Sequence, residues 1–168
     1  MALTSAPIIP RDGVMALSDG AALSLVLLYM GGAVKWGGLN ASQRTKQWFR
    51  SRGGVYAGRD VDDQDFSLDF TADAVHFLGD GTTATLFEAV MRKGVWSGAT
   101  STLPTAAGDI YTLKATWTVN RATFGATGNN AVVAKYVQFD LDFSEGVPSQ
   151  FSLKGVGVPY SNDYLTWT

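Results

Sequence analysis

Three stretches of this chain alternate apolar and polar side chains with a period of two. Phe66, Leu68, Phe70 and Ala72 alternate with Ser67, Asp69, Thr71 and Asp73. Tyr111, Leu113, Ala115, Trp117 and Val119 alternate with Thr112, Lys114, Thr116 and Thr118. Val133, Lys135, Val137, Phe139, Leu141 and Phe143 alternate with Tyr136, Gln138, Asp140 and Asp142. A strand sends successive side chains to opposite faces, so this pattern separates a buried face from a wet one only in β-structure. A turn at Thr127-Gly128-Asn129-Asn130 joins the last two stretches into a long hairpin.

Shorter signals fill in the rest. Asp19-Gly20 and Gly31-Gly32 supply the positive φ angles of tight turns. They divide Val14–Leu17, Ala22–Met30 and Ala33–Trp36 into an expected three-strand meander. Val75–Leu78 reads as a short strand, and Phe151 and Leu153 lie on a closing strand that ends near Gly157. One helix is expected over Thr83–Lys93, capped by Asp80 or Thr82 and stopped by Gly94. Its face of Leu86, Phe87, Val90 and Met91 suits packing on a sheet. Val95 to Gly108 reads as loop. The expected fold is mostly β: an antiparallel β-sandwich or barrel-like domain with one flanking α-helix and a long inter-strand loop. A chain of 168 residues is expected to form one domain, with an N-terminal arm at 1–12, the long loop at 38–65 and a C-terminal extension at 158–168.

Composition excludes several function classes. There are no cysteines and one histidine, His76, which removes thiolate metal sites, disulfide scaffolds and multi-histidine centres. No Gly-x-Ser-x-Gly elbow surrounds a serine, and the nearest string, Gly94-Val95-Trp96-Ser97-Gly98, is misspaced. A histidine beside Ala74 and Leu78 reads as structural. Two glutamates, Glu88 and Glu145, give no clear acid pair, although thirteen aspartates keep carboxylate chemistry open. Asp60, Asp62, Asp63 and Asp65 invite calcium, but where that loop wants an acid or amide and then glycine the chain holds Gln64 and Asp65, so a solvated turn or protein contact is expected. Gly79-Asp80-Gly81-Thr82 lacks the glycines and lysine of a phosphate loop. No enzymatic activity, cofactor or metal is expected. The net charge of −2 argues against a basic nucleic-acid grip. The start MALTSAPIIPRDG reads as no secretory signal, and no apolar run approaches the ~20 residues of a membrane span.

Charge is sparse and unevenly placed. Charged residues make up 17% of the chain, against about 25% in ordinary globular domains, while aromatics reach 12%. Such a chain has either a large core or an outer surface covered by partners. Asp69 and Asp73 stand on the polar side of one alternating strand and Asp140 and Asp142 on that of another. Residues 37–65 form a polarised excursion: Arg44, Lys46, Arg50, Arg52 and Arg59, interrupted by Trp48, Phe49 and Tyr56, then Asp60, Asp62, Asp63 and Asp65. A hairpin turning at Gly53-Gly54 would organise it. Long ordered loops are commonly functional.

This order of parts resembles the tail tube (major tail) proteins of long-tailed bacteriophages. The resemblance covers roughly residues 10–157. It rests on Leu17-Ser18-Asp19-Gly20, the basic-to-acidic segment Arg44–Asp65, the strand Phe66–Asp73, the helix Thr83–Lys93 and Ser144-Glu145-Gly146-Val147-Pro148-Ser149. It implies a structural, self-assembling virion protein made in the host cytoplasm. Six-membered rings would stack into a hollow tube through which double-stranded DNA leaves the capsid, with neighbours joining their inner sheets. Partners would be further copies of the chain and other tail proteins such as the tape measure and terminator, with no membrane. Asp69, Asp73, Asp140 and Asp142 would line the lumen and repel phosphate, and the 44–65 segment would contact the next ring. Decoration or head-completion proteins and carbohydrate-binding β-sandwiches share the texture and stand as alternatives, the last with tryptophans as its sugar platform.

Overall fold

The computed structural model describes residues 13–27, 30–38, 46–50, 56–60, 66–74, 81, 83–104, 109–119, 130–160 and 164–167. Its strands are β1 (Gly13–Ser18), β2 (Ser24–Leu27), β3 (Met30–Gly37), β4 (Lys46–Arg50), β5 (Tyr56–Asp60), β6 (Phe66–Asp73), β7 (Leu113–Val119), β8 (Asn130–Ser144), β9 (Gln150–Gly157) and β10 (Leu165–Trp167). A short helix, α1 (Leu86–Met91), lies between β6 and β7. One sheet runs in the order β2-β1-β7-β8-β9-β6-β3, antiparallel at every step, and β10 pairs with β8 beyond the end of β9. The hairpin β4–β5 forms a separate two-stranded sheet.

The sheet must roll. Strands β2 and β3 end its path on opposite sides, yet Leu27 and Met30 are consecutive strand ends in the chain. Three peptide steps of 3.8 Å bring those ends within about 11 Å of each other. The rolled interior is one core, in which Met15, Leu17, Leu113 and Ala115 from one half join Leu68, Phe70, Phe151 and Leu153 from the other. The alternation in β6 is kept residue by residue, Phe66 to Ala72 buried and Ser67 to Asp73 partly exposed. Burying each such leucine or phenylalanine contributes roughly 1.5–3 kcal/mol.

Three expectations change. Strand β3 does not complete a meander: it pairs with β6, and Gly31-Gly32 lies inside it instead of in a turn. The register shifts between Gly31 and Lys35, where two residues without side chains leave pairing weakly specified. Second, β8 changes face. Ala134 opposes Ala115 while Val137 opposes Leu113, three steps on one strand against two on the other. This bulge swaps the inward parity, so Val133, opposite Thr116, does not share the face of Val137, and Lys135 falls within the bulge.

Third, the helix is shorter than Thr83–Lys93. Thr85 is its N-cap, with Glu88 N donating to Thr85 Oγ1 at 3.3 Å and Thr85 N donating to Glu88 Oε2 at 3.2 Å. This reciprocal box outcompetes an earlier start. Arg92 at φ 52° ends the helix before Gly94. The expected loop after it is a packed cover, with a 3-10 turn over Gly94–Trp96 and buried Trp96, Ala99 and Leu103. The expected caps Asp80 and Thr82 and the strand Val75–Leu78 lie outside the described residues.

The cover is pinned to the β1–β2 turn by Asp19. Its Oδ1 accepts from Ala21 N at 3.0 Å and Leu23 N at 2.9 Å, and its Oδ2 accepts from Thr100 N at 3.1 Å. On the opposite wall, Gly157 faces inward, and a Cβ there would enter the ring of Phe66. Gly157→Ala is therefore expected to lower stability by about 1–3 kcal/mol through overpacking, read as a lower denaturant midpoint with an unchanged m-value.

Candidate assembly surfaces

The outward side of the rolled sheet divides into two halves of different chemistry. Over β3, β6, β9 and β8 it is charged. Lys35 stands opposite Asp69, Asp69 opposite Lys154, and Lys154 opposite Asp140, a row of alternating sign across four strands. Directly opposed residues on one face hold their Cβ atoms ~4.5–5.5 Å apart, near enough for opposite charges to attract. The next row sets Thr71, Ser152 and Asp142 side by side, and the one beyond it Asp73, Gln150 and Ser144. Lys154 Nζ lies 3.4 Å from Asp142 Oδ2, with the two side chains 66% and 70% exposed. Gln150 Nε2 donates to Asp73 Oδ1 at 3.1 Å. Between Lys35 and Lys154 runs a shallow groove of about 350 Å³ over Asp69, Thr71 and Ser152.

All four aspartates singled out in the sequence thus share one face. What sequence reading missed is the strand between them. Because β9 separates β6 from β8, Lys154 sits between the two acidic rows instead of apart from them. The signal was present: Lys154 follows Leu153 on an alternating strand and must point the other way. Four aspartates against two lysines leave the face negative, yet of mixed sign.

Over β2, β1, β7 and the first half of β8 the outward side carries no charge in two successive rows. These are Val26–Ala16–Thr116–Val133 and Val14–Thr118–Ala131. Val14 is 41% exposed and Val26 50%. Lys114, paired with Ser18, stands in the next row, so across β8's bulge the same continuous sheet changes from sparsely to densely charged.

The basic-to-acidic segment contains the hairpin β4–β5. Lys46 pairs with Asp60, Gln47 with Arg59, Trp48 with Gly58 and Arg50 with Tyr56, while the expected turn at Gly53-Gly54 lies outside the described residues. The register thus brings its basic arm alongside the start of its acidic one. Arg44, Arg52, Asp62, Asp63 and Asp65 lie outside the described residues.

Reactive chemistry is thin. Glu88 is occupied as a buried cap, Glu145 is exposed beyond β8, and His76 lies outside the described residues. Among the described residues no three His, Cys, Asp or Glu side chains gather as a metal site. Trp96 is buried, and Trp36 and Trp117 pack on the core, so these three rings form no sugar platform. Tyr111 closes the space between cover and sheet: its hydroxyl donates to Ala89 O at 3.0 Å, and the Arg92 guanidinium carbon lies 4.8 Å from its ring centre. Burial pushes its phenol up to about 12, against the opposing pull of Arg92 and with a further push from Asp19. A phenol that ionises near 10 when unfolded and near 12 when folded contributes stability that is full below pH 10 and lost as pH rises through 12. Tyr111→Phe is expected to flatten alkaline destabilisation over that window, checked by urea titrations from pH 9 to 12.

No protein-family model and no curated protein matches the chain. Solved structures share its fold from end to end. A chain of the PVC sheath/tube terminator of an extracellular contractile injection system, in the extended state, matches at TM-score 0.58 and 8% identity over 99% of both chains. A chain of the PVC sheath-tube complex, also extended, matches at TM-score 0.56 and 6% identity, over 98% of this chain and 93% of that one. At such identity the likeness is one of fold: a mostly antiparallel β-sheet with one short helix, as the sequence pattern predicts.

Proposed function

We propose that this chain is a structural, non-enzymatic subunit of the tube of a phage-tail-like particle, built into stacked six-membered rings. The observation that carries this reading is the end-to-end fold likeness to components of a sheath–tube assembly, with coverage of 99% and 98% of the chain. A shared fold alone is a weak guide to function. Here the surface supports it independently: sparse charge, two uncharged rows on the outer side of β2, β1, β7 and β8, and two sheet margins, β2 and β3, without a partner strand on their far sides among the described residues. Margins of this kind invite completion by a neighbour.

In this reading the charged half of the sheet faces the bore and the β4–β5 hairpin meets the adjoining ring. Excess carboxylate on the wall repels phosphate, so a double-stranded DNA passenger would slide without sticking, whereas a cationic wall would grip it. The tape measure and terminator would be further partners, and the assembled tail of the particle the site of action. A terminator role is the second reading, favoured by the match to a sheath/tube terminator. It differs in one visible way, since terminators end a stack and would form rings without long tubes.

Negative-stain micrographs of purified protein decide among these readings. Tubes of varied length support the tube subunit, isolated rings the terminator, and a monomer at all concentrations and salts neither. Asp140→Lys with Asp142→Lys is expected to assemble normally while virions carrying both lose DNA delivery by at least tenfold; unchanged infectivity would remove these residues from the bore. Charge reversal at Arg50 and Arg52 is expected to shorten tubes without lowering the melting temperature.

A further inference from the structure

The two ends of the charged face differ in sign and in what leaves them. Strand β3 ends at Gly37, paired with Ser67, and β6 begins at Phe66, paired with Gly157, so the basic-to-acidic segment departs from this end of the sheet. The outward row here, Gly37–Ser67–Val156–Gln138, is uncharged. Six residues along β6 from Ser67, roughly 20 Å away, the last outward row is Asp73–Gln150–Ser144, and the β8–β9 turn adds exposed Glu145. That row and turn, through Ser149, hold two carboxylates and no cation. They are also held in shape. Gln150 Nε2 donates to Asp73 Oδ1 at 3.1 Å, Ser149 Oγ donates to Gly146 O at 3.2 Å, and Ala74 N donates to Ser149 O at 2.8 Å. A surface ordered in advance gives up little entropy on docking.

The β4–β5 hairpin carries the opposite sign. Its strands hold Lys46, Arg50 and Arg59 against Asp60. Between Gln47 and Gly58 the only charged residues are Arg50 and Arg52, set among Trp48, Phe49 and Tyr56. Arginine and aromatic residues are the types enriched where proteins meet. Arg50 pairs with Tyr56 at the far end of the ladder, four residues from Lys46, roughly 14 Å along the strand. Among the described residues the hairpin pairs with no strand of the larger sheet. A two-stranded ribbon alone is marginally stable in water, so it gains from a surface that covers it.

We propose that the β4–β5 hairpin of one copy docks on the Asp73–Glu145 end of the sheet of a second copy in the adjoining ring, its arginines against those carboxylates. Charge selects the occupant: the hairpin strands carry three cations and one acid, and the receiving end carries two carboxylates. Opposite signs at opposite ends of one protomer make a heterologous contact, which repeats as an open stack and gives it a direction. The inference rests on the tube reading and adds to it the receiver of the hairpin.

The test is charge reversal on each side. Arg50→Glu with Arg52→Glu makes hairpin and turn both acidic; Asp73→Lys with Glu145→Lys makes both basic. Each variant alone is expected to shorten tubes by at least about fivefold, because like charges then face each other. An equimolar mixture is expected to restore wild-type length, since every acidic hairpin finds a basic turn on the other variant and every basic hairpin an acidic one. A chain carrying all four changes is expected to restore it as well. Lengths are read by negative stain, with circular dichroism and melting confirming the native state. Should a reversal prevent folding, Arg50→Gln with Arg52→Gln and Asp73→Asn with Glu145→Gln take its place, and each is again expected to shorten tubes. Restoration in the fourfold variant but not in the mixture would seat the hairpin on its own chain and overturn the proposal. So would tubes of wild-type length from either side alone, or no restoration in either arm. In each of these cases wild-type tubes leave the tube reading intact, whereas a wild type that never assembles overturns both.

Discussion

Everything in this fold follows from a short covalent tether between strands that the sheet holds at opposite ends. The chain leaves β2 and enters β3 almost at once, yet β3 pairs with β6, six strands along the path from β2. A flat sheet of that width would separate its margins by several interstrand spacings of ~4.8 Å each, far more than the tether spans. Rolling is the only solution, and it makes a single sheet supply both walls of its own core. Local details then fall into place. The bulge at Ala134–Val137 turns β8 through the bend, Gly157 lets Phe66 lie against β9, and the 94–103 cover, fixed by Asp19 and Tyr111, lies over the part of the core that the sheet leaves open.

The roll also decides what faces outward. Because β8 is long enough to pair with β7 and β10 along its first half and with β9 along its second, it belongs to both walls. Its two halves carry different outer chemistry. An exposed ion pair such as Lys154–Asp142 adds little stability, at most about 1 kcal/mol. The alternating row is better understood as a property of the surface than as a staple of the fold: it leaves an excess of carboxylate with each lysine set beside one.

The sequence made the strands legible and left their neighbours obscure. Alternation located β6, β7, β8 and β9 because burial on one side enforces period two, and Phe66 to Asp73 kept that pattern without exception. Pairing is a non-local property, and nothing in Gly31-Gly32 distinguishes a tight turn from a glycine-rich strand interior. That is why β3 was expected beside β2 and found beside β6. The bulge in β8 was equally silent, since one extra residue changes facing without changing composition. For the candidate surfaces the same division holds. Asp69, Asp73, Asp140 and Asp142 share one face of the sheet, and Lys154 joins their row only once β9 is placed between them. The helix start went to Thr85 because the decisive signal was a pair, Thr85 with Glu88, and not any single capping residue.

Identities of 6–8% to proteins of the same fold indicate what such a chain must conserve physically. The roll needs inward volume, a bulge and a tether; it does not need particular residues at outward positions. Outward positions are therefore free to vary. In this chain most outward charges gather on one half of the sheet, and the other half holds two uncharged rows beside Lys114. If solubility as a monomer had shaped this surface, charges of both signs would be dispersed over both halves. Their uneven placement suits the proposed tube subunit, in which one side of the wall would meet water and a passenger and the other would meet protein.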